Sequence, residues 1–174
     1  MSGKPIEPAG SPLGRYDTDT DDALFEVRLL SLPVQILALS REQHDELMRE
    51  FAMLALDERL SADHVPARLL ELVDVLGRRY GAVSARPDEE IDAAITRGDK
   101  SIDLVYHVPA HVSEAADALE RLMTEADVFC RDRQMLALAR TPLQERFARW
   151  YLDQFRRQIA GLSPDPWPGP FDPD

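Results

Sequence analysis

The chain has 174 residues, 44% of them hydrophobic, and a formal net charge of −12; that length suffices for one core without a structural metal or disulfide. So acidic a protein repels the phosphates of nucleic acid and of anionic lipid, which argues against generic binding to either. Its single cysteine, Cys130, permits no internal bridge; no stretch nears the ~18 apolar residues of a membrane span, and no leader pattern is seen, so the expectation is a soluble, cytoplasmic protein.

Eight of the thirteen prolines lie near the ends. Residues 1–22, with DTDTDD at 17–22, are expected to be a disordered acidic tail, and residues 163–174 a proline-rich extended tail that supplies no packed face. The intervening 23–162 is expected to form one globular domain. It opens with LFEVRLLSLP (24–33), where Phe25, Val27 and Leu29 alternate with polar neighbours, the signature of a strand ending at Pro33. VQILALS then extends that strand or forms a second one. Ser40 and Gln43 match a capping box, which predicts a helix from there to about Leu56.

A second helix is expected over about 65–80, with Pro66 in its first turn, and a third from Pro87 to the stop signal at Gly98. SIDLVYHVP (101–109) returns to period two and predicts a strand. A fourth helix follows from Ser113 to about Arg131, with the apolar row Leu119, Leu122, Met123, Ala126 and Cys130. MLALA (135–139) suits a short strand. Thr141, Pro142 and Gln144 then open a last helix to about Gly161. The fold class is therefore α+β and helix-rich, about five helices on a small sheet of three or four strands, with an all-α bundle as the alternative. Both halves carry a strand ending in proline, then a Leu-Met pair with Glu two residues on (Leu47, Met48, Glu50; Leu122, Met123, Glu125), an echo compatible with duplication.

QHDELMREFAML (43–54) gathers a histidine and three carboxylates, yet side chains share a helix face only three or four residues apart. From His44 those positions are Ser40, Arg41, Leu47 and Met48, so His44 belongs to the apolar stripe, while Glu46 and Glu50 point to solvent. DTDTDD fails as a calcium loop, having Asp22 where glycine is required and Arg28 where a glutamate would ligate. The scattered histidines and lone cysteine lack zinc-site spacing. No phosphate-binding glycine loop, nucleophile elbow or HExxH is present. No catalytic residue, metal or cofactor is assigned.

Two candidate surfaces remain. In the last helix Phe147, Trp150, Tyr151, Phe155 and Ile159 form a wide apolar face, beside Arg146, Arg149, Arg156 and Arg157. Aromatic and arginine residues are enriched at interfaces, so Arg146, Arg149, Trp150, Phe155, Arg156 and Arg157 are candidates for docking a protein partner, an acidic one among them, or a second copy of the chain. The alternative is a central core helix whose arginines pair with the acidic remainder. Separately, His44, Tyr106, His107 and His111 can line a small-molecule pocket between sheet and helices, the mark of a sensor or of an enzyme without a recognisable motif.

Taken together, LPVQILALSREQHDELMREFAML, VPARLLELVDVLGRRYGA, IDLVYHVP and EADVFCRDRQMLALARTPLQERFARWYLDQFRRQIAG resemble a group of proteins from GC-rich bacteria, over about residues 24–162. Members of that group accompany anti-sigma-factor kinases, their antagonists and SpoIIE-type phosphatases. The resemblance implies a regulatory role in partner switching or signalling. The kinases of such systems hold ATP and magnesium with an asparagine-bearing helix and glycine-rich boxes, and this chain contains no asparagine. The resulting expectation is a non-enzymatic regulator or adaptor that acts by protein interaction, with the small-molecule sensor as the other reading.

Overall fold

A computed structural model describes residues 23–56, 64–133, 135 and 138–173. Among these, strand β1 (Leu24–Pro33) leads into helices α1 (Val34–Ala55) and α2 (Val65–Arg97), and strand β2 (Ser101–Pro109) into α3 (Val112–Asp132) and α4 (Pro142–Ile159). The helix-rich α+β class holds, and the strand-helix-helix order occurs twice. The expected acidic tail, residues 1–22, lies outside the described residues.

Among the described residues the sheet has two antiparallel strands, not three or four. VQILALS forms the first turns of α1, because Pro33 serves as its N-cap and the Val34 N–H is taken by the Lys100 carbonyl at 3.1 Å. Ser40 is therefore inside a helix and caps nothing. Gln43 instead donates its amide to the Leu138 carbonyl, tying α1 to the loop before α4. Of MLALA, Leu136 and Ala137 lie outside the described residues; Met135, Leu138 and Ala139 are not in a strand.

The two helices expected on either side of Pro87 are one, running continuously through that proline. A proline within a helix forfeits a backbone bond and costs about 3 kcal/mol or more. Opposing that cost, Pro87, Ile91 and Ala94 are all buried, and Arg41 of α1 binds Asp88 at 2.5 Å and Asp92 at 3.2 Å. The stop comes at Gly98, whose φ of 71° suits a residue without Cβ. At α4 the capping box forms as expected: Thr141 Oγ1 accepts the Gln144 N–H, and the Gln144 side chain accepts the Thr141 N–H.

Strand parity directs Val27, Leu29, Leu104, Tyr106 and Val108 inward, where they meet Ile36, Leu37, Ile91, Phe147 and Phe155 in one core. A second core joins Leu47 and Phe51 of α1, Leu69 and Leu72 of α2, and Leu122, Ala126 and Cys130 of α3. The two Leu-Met pairs of the internal echo, 47–48 and 122–123, meet in this second core. Burial pushes the Cys130 thiol up to about 11, which keeps it an inert apolar filler.

The proline-rich tail is not without a packed face. Trp167 is buried against the first core, its N–H donates to the Leu30 carbonyl at 3.0 Å, and its indole N–H to the Pro170 carbonyl at 2.8 Å. Gly169 lies on the indole so closely that a Cβ there would come within 2.3 Å of the ring. Sequence composition marked the segment as unable to pack; one aromatic ring reaching back between α4 and β1 is enough to hold it.

Candidate functional site

Where the two cores meet, the helices do not close. One cavity of about 190 Å³ lies over β2, bounded by Tyr80, Tyr106, Val108, Ala116 and Phe155. A second, of about 260 Å³, lies between α1, α3 and α4, bounded by Leu37, Ser40, His44, Met123, Arg140 and Phe147. Leu119, Tyr151 and Leu152 belong to the walls of both, so the two spaces are neighbours along one apolar seam.

Few polar groups face this seam. Tyr106 and Tyr151 share a hydroxyl–hydroxyl hydrogen bond of 2.9 Å. Burial raises the pKa of Tyr106 and raises that of Tyr151 well above the usual phenol value, so both stay protonated. His44 is half-buried, and desolvation lowers its pKa, with Asp45 opposing that shift and Arg140 adding to it. Its ring is thus held neutral near pH 7, with one nitrogen a donor and the other an acceptor. One turn earlier, the buried Ser40 hydroxyl finds no hydrogen-bond partner among the described residues.

The lowered histidine pKa has a consequence for stability. Below about pH 6.5, the ordinary histidine value, the unfolded chain takes up a proton on His44 that the folded chain resists, so stability is full above that pH and falls as pH drops through it. Urea midpoints of the natural protein should fall more steeply from pH 7.5 to 5.5 than those of a His44→Gln variant. Parallel pH profiles would refute a desolvated, neutral ring.

The cations beside the seam are already paired. Arg140 lies against Asp127 at 2.7 Å, the two side chains being 9% and 4% exposed, and Asp127 also accepts the Arg140 backbone N–H at 2.9 Å. Arg41 is held by Asp88 and Asp92.

The four expected pocket residues are not brought together. His44 lies in the α1–α3–α4 cavity and Tyr106 in the one over β2. His107 follows Tyr106 on a strand, so parity places it on the outer face, exposed, with its ring 3.8 Å from Glu26. His111 precedes α3 with its ring 5.7 Å from that of Tyr80. Tyr151, Ser40 and Arg140 are not pocket candidates in the sequence: Ser40 reads there as a helix cap, and Tyr151 belongs to the apolar row of α4, with nothing local linking it to Tyr106.

The expected docking face of α4 is mostly turned to the protein's own structure. Phe155 is buried, and the indole N–H of Trp150 donates to the Asp165 carbonyl at 3.2 Å. Arg156 binds Asp117 at 2.6 Å and Glu120 at 2.5 Å, while Arg157 binds Asp165 at 2.7 Å. Arg149 stays exposed, 3.7 Å from Glu120, and Arg146 lies with its guanidinium 5.7 Å from the Trp167 ring centre. Among the described residues no group of three or more His, Cys, Asp or Glu could hold a metal, and no helix is long and apolar enough to cross a membrane.

Comparisons of the chain with protein-family models, with curated proteins and with solved structures find no match. Function is therefore read from the chemistry of the seam and the surface.

Proposed function

We propose that this is a binding domain, not a catalytic one, that takes a small amphipathic molecule into the seam and reports its presence within a regulatory pathway. The observation that carries this reading is the buried, unpartnered Ser40 hydroxyl beside the neutral His44 on the wall of an apolar cavity. A buried hydroxyl without a partner costs about 1–3 kcal/mol, which a ligand's polar group would recover. With Arg41 and Arg140 committed to carboxylates, the fitting ligand has an apolar body and a neutral head such as a hydroxyl, carbonyl or amide. The partner-switching setting implied by the resemblance gives such a sensor something to regulate.

A second reading, docking of a protein partner, draws on a different observation. A surface groove of about 800 Å³ runs between α1, the start of α4 and the tail, lined by Ile36, Leu39, Pro142 and Leu143, with Glu42, Glu46 and Arg146 at its rim. It keeps Arg146 of the expected docking residues and adds the exposed Leu39.

One experiment separates the two. The purified chain is incubated with the small-molecule fraction of source cells, washed, and examined by native mass spectrometry and thermal melting. Retention of a small molecule with a raised melting temperature is expected. Ala148→Leu, which fills the cavity, should abolish both effects in a folded protein, whereas Leu39→Asp, in the groove, should leave them intact. No retained molecule and no shift would overturn the proposal.

A further inference from the structure

The two edges of the sheet are treated differently. On the β1 edge the Arg28 N–H donates to Gln158 Oε1 at 2.8 Å, and the Gln158 amide donates to the Arg28 carbonyl at 2.8 Å. That side chain from α4 takes both hydrogen bonds a further strand would make at Arg28. Since both backbone groups of Arg28 point away from β2, its register partner Val105 must likewise direct its N–H and C=O away from β1. Alternation extends this to Asp103 and His107. No hydrogen bond from the described residues reaches the backbone groups of Asp103, Val105 or His107 on that side. The Val105 side chain is 44% exposed on the outer face.

We infer that the β2 edge pairs with the β2 edge of a second copy of this chain, in antiparallel register about Val105. The segment is self-complementary in that register. Val105 meets Val105 across the two-fold axis, and Asp103 of each copy, whose carboxylate also accepts the Ser31 N–H at 2.7 Å within its own chain, stands opposite His107 of the other. The odd-numbered residues exchange their N–H and C=O groups, and Leu104 faces Tyr106 on the inner side. A two-stranded sheet becomes four-stranded, and an open nine-residue strand, otherwise a liability for uncontrolled association, is closed. This inference is independent of the seam and of its ligand.

The test is the solution mass of the full chain by light scattering at about 100 µM, with hydrogen exchange at Val105 and His107. The expected mass is twice 19.6 kDa, with both amides protected. Val105→Glu should yield a folded monomer whose melting temperature falls only by the lost, concentration-dependent contribution of the dimer, because the new carboxylate lies opposite Arg28 within one chain but against its own copy across the axis. Val105→Thr should remain dimeric. A natural protein that is monomeric, or a dimer that survives Val105→Glu, would overturn the inference; the latter outcome would place association on another surface, such as α4.

Discussion

Replacing Asp127 with alanine is expected to remove about 3–5 kcal/mol of folding stability, the usual cost of stripping one partner from a buried ion pair. Asp127 is 3% exposed and accepts both the Arg140 guanidinium and the Arg140 backbone N–H. Without it, a nearly buried cation and a backbone donor lose their partner together, at the point where the chain turns from α3 into α4. For a domain whose total stability is of order 5–15 kcal/mol, that is a large share. Asp127→Asn keeps an acceptor for the backbone N–H but not the charge, and should fall between the two. Combining Asp127→Leu with Arg140→Met should recover part of the loss, since the stranded charge is gone while the orphaned N–H stays. Urea unfolding of the four proteins measures this; a loss below about 1 kcal/mol for Asp127→Ala would show that water reaches the pair freely.

Removal of the Trp167 side chain should be comparably severe, about 3–5 kcal/mol for Trp167→Ala. The ring is 4% exposed and stands edge-on to Phe147 at 5.6 Å and to Trp150 at 5.4 Å. Its loss would open a cavity beside Phe147 and release the tail, which also holds Arg157 through Asp165. Truncation after Leu162 should therefore destabilise at least as much as the point substitution. Thermal or urea unfolding decides: an unchanged midpoint after truncation would mean the tail contributes nothing, as its composition alone suggests.

The tail illustrates what local reasoning misses. Proline, glycine and aspartate make 163–174 look incapable of packing, and the average is right while the one indole is the exception. Pro87 misleads in the same direction: as punctuation it predicts two helices, but burial of its ring with Ile91 and Ala94 outweighs the lost backbone bond. Ser40 and Gln43 satisfy the spacing of a capping box in the middle of a helix, because capping spacing is also helical spacing. On α4, the helical wheel identified the aromatic and arginine rows correctly, and only neighbouring elements could show that Asp117, Glu120 and Asp165 had already claimed Arg156 and Arg157.

The sequence by itself determined β1 and β2, the stop at Gly98, the capped start of α4 and the inward stripe of α1 with His44 in it. Each of these is set by residues within about four positions of one another, through pleat alternation, helical periodicity, capping and the freedom of glycine at positive φ. Only the tertiary structure decided how many strands the sheet has, that Tyr106 finds Tyr151, and that Gln158 takes the Arg28 backbone groups on one sheet edge while no described residue bonds the other. Those outcomes join residues 45 and 130 positions apart, and their energies come from burial and pairing that exist only once the helices have met.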